Sequence, residues 1–96
     1  MSSCFFVVSY VCDNFDIPID IMKSKTRKRE IVQCRQLSMF FAKQMTKSSL
    51  AMIGKHCGNK DHATVLHACK TVNNLADTDK RFKGYISDIE KRLTLT

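Results

Sequence analysis

The chain has 96 residues, a formal net charge of +7 and a 44% share of hydrophobic residues. This length and apolar content suit one folded domain with a modest core; they exclude a disordered tail and leave no room for a second domain. The charge is uneven, with −3 in residues 1–22, +9 in residues 23–70 and +1 in residues 71–96, so the positive field is concentrated in the middle of the chain and suggests a polyanionic partner.

One Pro and three Gly favour helices over many tight turns. Val8, Val11, Cys12 and Phe15 fall at helical spacing and predict a first amphipathic helix over residues 5–14. Asp16 is a candidate N-cap for a short second helix, with Pro18 tolerated in its first turn and Ile17, Ile21 and Met22 as its apolar residues. Residues 23–29 hold five basic residues in seven and form a hydrophilic connector. From Glu30 to about Met45, the residues Ile31, Cys34, Leu37, Phe40, Phe41 and Met45 recur at three- and four-residue steps and predict a long helix. The Phe40–Phe41 pair could stack single-stranded bases, but inside an apolar stripe it reads as core.

Residues 46–49 break the pattern and supply an N-cap for a short helix that faces Leu50, Ile53 and Cys57 inward. Gly58 is the expected left-handed terminator, Asn59 and Lys60 complete a turn, and Asp61 caps the next helix. That helix is apolar at Val65, Ala68, Cys69, Val72, Leu75 and Ala76 and stops at Thr78 and Asp79. A last helix carries Phe82, Tyr85, Ile86, Ile89 and Leu93. The expectation is an all-α fold of about six helices, organised as a single domain over residues 1–96: an N-terminal helical segment (1–22), a basic connector (23–29), and a helix-turn-helix core with C-terminal helices (30–96).

A short helix, a glycine-containing turn and a longer helix make a helix-turn-helix. Its second helix enters a DNA major groove with its N-terminal residues against base edges. Here those residues are Asp61, His62, Ala63 and Thr64. Asp can accept from cytosine, Thr can bond several groups, and an Ala methyl can pack on a thymine methyl.

The stretch GNKDHATVLHA, from Gly58 to Ala68, resembles the signature of the C-terminal DNA-binding domain of the bacterial replication initiators of the DnaA family, whose pattern is close to G-G-R-D-H-T-T-V-x-H-A. Matching spacing continues upstream through Arg35, Gln36, Ala42, Lys43, Thr46, Ser49, Leu50, Ile53 and Gly54 to the connector residues Lys25, Arg27 and Arg29. The resemblance covers roughly residues 7 to 93 and leaves residues 1–6 outside it.

It implies a Trp-repressor-like fold and binding to double-stranded DNA at a site resembling TTATNCACA, the DnaA box of replication origins. By position, Asp61, His62 and Ala63, with Thr64 beside them, would face bases in the major groove, and Arg27 would enter the adjacent A·T-rich minor groove. Lys25, Arg35, Gln36, Lys43, Thr46, Ser49, Lys60 and His67 would hold phosphates and sugars, which sets register rather than sequence. Asn59, Lys60 and Ala63 depart from the pattern, standing for Gly, Arg and Thr. Asn tolerates positive φ. Lys keeps the charge without the planar fork. Ala63 loses a hydroxyl, which softens discrimination at one base pair.

No G-x-x-x-x-G-K-[ST] motif occurs, so the family's ATPase module is absent from these residues. The expectations are accordingly a non-enzymatic chain with no cofactor of its own and ATP only in a missing upstream domain. It would be monomeric in isolation, with oligomerisation through absent domains, and cytoplasmic at the bacterial nucleoid. The alternative is a free-standing Trp-repressor-like regulator. A third reading is a protein- or lipid-interaction module. Lipid contact is disfavoured because no Lys or Arg precedes Lys23. The apolar run from Cys4 to Cys12 is too short to span a membrane and makes a poor signal peptide.

Five scattered cysteines without a C-x-x-C pair argue for a reducing compartment. Cys57, His62, His67 and Cys69 raise a zinc hypothesis that spacing opposes, since five residues rotate two helix positions by about 140°. Neither His62 nor any Cys has the activated nucleophile and orienting partner of a catalytic set.

Overall fold

The computed structural model describes residues 4–95, so the first three residues of the N-terminal segment and residue 96 lie outside it. Six helices follow in chain order: α1 (Cys4–Asn14), α2 (Ile19–Lys23), α3 (Arg29–Met45), α4 (Leu50–His56), α5 (His62–Thr78) and α6 (Lys80–Leu95), with no strand among the described residues.

In α1, Cys4, Val7, Val8, Val11 and Cys12 are buried, a stripe at three- and four-residue steps, while Phe5 and Phe6 face outward. The helix closes in a way that corrects the expectation for Asp16. Asp16 has φ +54°, its N–H donates to the Asp13 carbonyl (3.1 Å), and the Ile17 N–H donates to the Cys12 carbonyl (3.0 Å). This crossed pair of bonds is the Schellman motif. Asp16 therefore terminates α1, and Pro18 occupies the N-cap position of α2, its carbonyl accepting from Ile21 and Met22 N–H (both 3.0 Å). Of the apolar residues expected in α2, only Met22 is fully buried; Ile19 packs against the core, Ile17 precedes the helix and packs there too, and Ile21 is exposed.

The third helix is the central strut. Residues 37–42 are buried all round it, and its main partners are α1 on one side and α5 on the other. A helix covered on every side has to be apolar on every side. Ser38 is the polar residue in this run, and its hydroxyl donates to the Cys34 carbonyl (2.8 Å). Phe40 and Phe41 meet edge to face with centroids 5.3 Å apart inside the core, so they are not a stacking platform.

Capping then sets each later helix. Ser49 caps α4 by accepting from Met52 N–H (3.2 Å). Asp79 ends α5 and starts α6, its carboxylate accepting from the N–H groups of Arg81 (3.0 Å) and Phe82 (3.3 Å). In α6, Ile86, Ile89 and Leu93 are buried. Tyr85 is largely exposed yet stacks on Phe15 at 5.4 Å, and Arg92 donates to Asn14 (3.1 Å), tying α6 back to α1.

Candidate nucleic-acid interface

The helix-turn-helix is α4, a turn over residues 57–61, and α5. Two consecutive residues of the turn have positive φ, Gly58 (+103°) and Asn59 (+58°). Asn is among the non-glycine residues that most readily adopt this region, so its replacement of the pattern's glycine keeps the turn. The Lys60 N–H donates to the Gly54 carbonyl (2.9 Å), and a side chain at Gly54 would collide with the Lys60 carbonyl. The turn is thus drawn down onto α4, and that approach fixes the angle at which α5 leaves.

At the start of α5, Asp61, His62, Ala63 and Thr64 are all exposed, and Val65 is the first residue to turn into the core. One oxygen of Asp61 accepts from both the Thr64 N–H (2.9 Å) and the Thr64 hydroxyl (2.7 Å). These bonds, from the hydroxyl first and then the amide, hold the Asp61 carboxyl below the usual carboxylate range. The tip therefore presents an ionised acceptor, and Thr64, its proton engaged, presents an acceptor oxygen and a methyl group. Leu66, which sequence patterning passed over, is exposed on α5 one turn beyond His62. Its signal was its position outside the buried stripe of Val65, Ala68, Cys69 and Val72.

A groove of about 270 Å³ runs between α3 and α5 over Val32, Met39 and Ala68. Its polar wall gathers five of the expected contact residues: Arg35, Gln36, Lys60, Thr64 and His67. Lys43 is exposed beside a neighbouring depression that also involves Gln44 and Asn73. Lys25 and Arg27 are exposed on the connector.

The remaining expected residues have local partners. The Thr46 hydroxyl donates to the Ala42 carbonyl and accepts from Ser48 N–H (3.2 Å), so as placed it has no proton for a phosphate. The Ser49 hydroxyl accepts as a cap and keeps its own proton. Arg35 differs most from its expected role. Its Nε donates to the Met22 carbonyl (2.9 Å), and one terminal nitrogen donates to the carbonyls of Ser24 (2.7 Å) and Thr26 (3.5 Å).

The residues of the zinc hypothesis are dispersed. Cys57 and Cys69 are buried whereas His62 and His67 are exposed, and no group of three or more potential ligands forms among the described residues. Burial pushes the Cys57 thiol up to about 12, which makes it a core side chain and not a reactive thiolate.

A family model described as the bacterial dnaA protein helix-turn-helix matches residues 6–72. Chromosomal replication initiator protein DnaA of Flavobacterium psychrophilum is 57% identical over 90 residues, which is 94% of this chain and 19% of the relative. DnaA of Bacteroides thetaiotaomicron is 48% identical over 87 residues (91% and 18%), and DnaA of Wolbachia pipientis wMel is 42% identical over 81 residues (84% and 18%). The chain spans about a fifth of the length of these relatives.

Proposed function

The chain belongs to the bacterial DnaA helix-turn-helix family, and from that premise we propose that it binds double-stranded DNA sequence-specifically, as the DNA-binding part of a replication initiator. The observation that carries this reading is the exposed tip of α5. Four short side chains stand clear of the core at a helix end, beside a groove walled by Arg35, Gln36, Lys60 and His67. Such a tip fits a major groove, where short side chains reach base edges and flanking cations meet phosphates.

The roles then divide by chemistry. The unengaged oxygen of Asp61 accepts from a cytosine amine, His62 bonds an adjacent base edge, and the methyl groups of Ala63 and Thr64 pack on thymine. Leu66 adds apolar contact one turn further along. Gln36, Lys43, Lys60, Ser49 and His67 hold the backbone, and Arg27 with Lys25 follows the connector into the neighbouring minor groove. The preferred site is TTATNCACA-like.

This role is binding without catalysis and needs no cofactor within these residues; ATP belongs to other segments of an initiator. It is carried out by a single copy on chromosomal DNA in the bacterial cytoplasm. No described helix is long and apolar enough to cross a membrane. The relatives are named as initiators, which does not favour the free-standing regulator.

Selection from a random duplex pool tests the proposal. Enrichment of TTATNCACA-like sites is expected. Enrichment of an unrelated palindrome would support a dimeric regulator, and no enrichment at low salt would contradict DNA recognition altogether.

A further inference from the structure

Arg35 lies in the second turn of α3, half-buried between the connector and the groove beside α5. Its guanidinium reaches across 9 to 13 residues of sequence to three carbonyls. Met22 belongs to the last turn of α2, and Ser24 and Thr26 belong to the connector. Carbonyls at a helix C-terminus have no partner within the helix, and a planar fork can hold two acceptors in fixed register where an ammonium cannot. The same segment is held from a second side. Gly58 of the helix-turn-helix turn lies so close to Lys23 that a Cβ there would stand 2.6 Å from the Lys23 carbonyl oxygen. Within the connector, the Ser24 hydroxyl donates to the Ile21 carbonyl (2.6 Å), and the Thr26 hydroxyl accepts from Lys28 N–H (3.3 Å). Lys25, Arg27 and Lys28 remain outward and exposed.

We infer that Arg35 is a positioning residue that fixes the basic connector relative to the α5 tip, so that Arg27 is aimed at the minor groove before DNA arrives. The inference rests on the proposed DNA-binding reading and deepens it. Residues 24–28 join their flanking helices only at the two ends, through Ser24 N–H to the Ile21 carbonyl (3.1 Å) and Val32 N–H to the Lys28 carbonyl (2.9 Å), and residues 25–27 between them lie outside both helices. Fixing a loose segment at the moment of binding carries an entropic cost, which prior ordering removes. Arg35 also lines the groove beside Lys60, Thr64 and His67, so one side chain links the two elements that read the two grooves.

The test separates this role from a simple phosphate contact. Arg35→Lys keeps the charge and stem but loses the fork. Without DNA, it should speed amide hydrogen exchange at Thr26 and Lys28, whose N–H groups bond the Ser24 and Thr26 hydroxyls, while α3 and α5 stay protected. With DNA, affinities are compared for a TTATCCACA duplex, a duplex altered in the TTAT half, and one altered in the CACA half. Discrimination at the TTAT half should fall about tenfold, the scale of one mismatched pair, with discrimination at the CACA half retained. Arg27→Ala should cost less discrimination at the TTAT half in the Arg35→Lys background than in the unaltered protein, as expected for coupled residues, and an equal cost in both backgrounds overturns the inference.

Retained discrimination at the TTAT half, or equal loss at both halves, overturns the inference. So does Arg35→Gln if it only flattens the salt dependence. Should the variants fail to fold, the unaltered protein decides: its Arg35 Nε–H should exchange slowly before DNA is added, and protection that appears only with DNA overturns the clamp. If the unaltered protein shows no preference among the three duplexes, the DNA-binding reading fails, whereas the exchange measurements still judge the clamp.

Discussion

At Asp61, an exposed residue, one carboxylate oxygen accepts hydrogen bonds from both the amide and the hydroxyl of Thr64. A folded-state pKa below its unfolded value makes the cap's contribution complete above the ordinary carboxylate pKa of about 3.9. That contribution is lost as pH falls through the lower, folded value. The Thr64 amide resonance should therefore titrate with a midpoint below that ordinary value. A midpoint at or above it would show that the cap does not hold the charged form. Asp61→Asn keeps a capping oxygen and should abolish the titration, while changing base preference at the position it faces. At the next residue, His62→Ala should lose roughly 1–3 kcal/mol of discrimination between the box and a scrambled duplex, read from paired titrations; unchanged discrimination would remove His62 from the readout. Asp61 was legible in the sequence as a cap and as a helix-tip residue, because both roles follow from its place before the first apolar position. Its bond to the Thr64 hydroxyl was not read there, since that depends on the rotamer Thr64 takes.

Among the elements, glycine positions carry contrasting predictions. Gly54 sits in α4 with the Lys60 carbonyl in the space a Cβ would take, whereas Gly84 in α6 has nothing within 4 Å of that position. Gly84→Ala should stabilise the protein by about 0.5–1 kcal/mol through helix propensity. Gly54→Ala should destabilise it by about 1–3 kcal/mol, since backbone would have to move. Urea unfolding measures both, and a neutral Gly54→Ala would contradict the close turn–helix approach. Periodicity made α1, α3, α5 and α6 legible to within a residue or two, because each has two or more turns of buried stripe. The five residues of α2 were too few to phase, so its apolar residues could be named but the buried Met22 could not be told from the exposed Ile21. Asp16 was misplaced for a related reason: a short polar residue suits a helix start and, in left-handed conformation, a helix end. Arg35 was legible as a contact residue only through resemblance. Its three carbonyl bonds join segments distant in sequence, and no local pattern announces such a clamp.

Over the whole molecule, the cations behind the +9 of residues 23–70 sit on the connector, α3, the loop after it (Lys47), α4, the turn (Lys60) and Lys70 of α5, so they flank the α5 tip, which itself carries the negative Asp61. The extents of 30 × 30 × 24 Å match roughly one turn of duplex, about 34 Å, so a single copy can reach one major groove and the minor groove next to it. Exposed Lys43 lies away from the tip along the α3–α5 pair. Lys43→Ala should weaken all duplexes alike and reduce the salt slope by about one unit; a change in preference between duplexes would instead make Lys43 a reader of sequence. The most direct test of the central claim is fluorescence anisotropy with a TTATCCACA duplex and a scrambled duplex across a salt series. The account predicts tighter binding to the box at every salt concentration and a steep loss of affinity for both duplexes as salt rises. Equal affinity for the two duplexes throughout the series would contradict it.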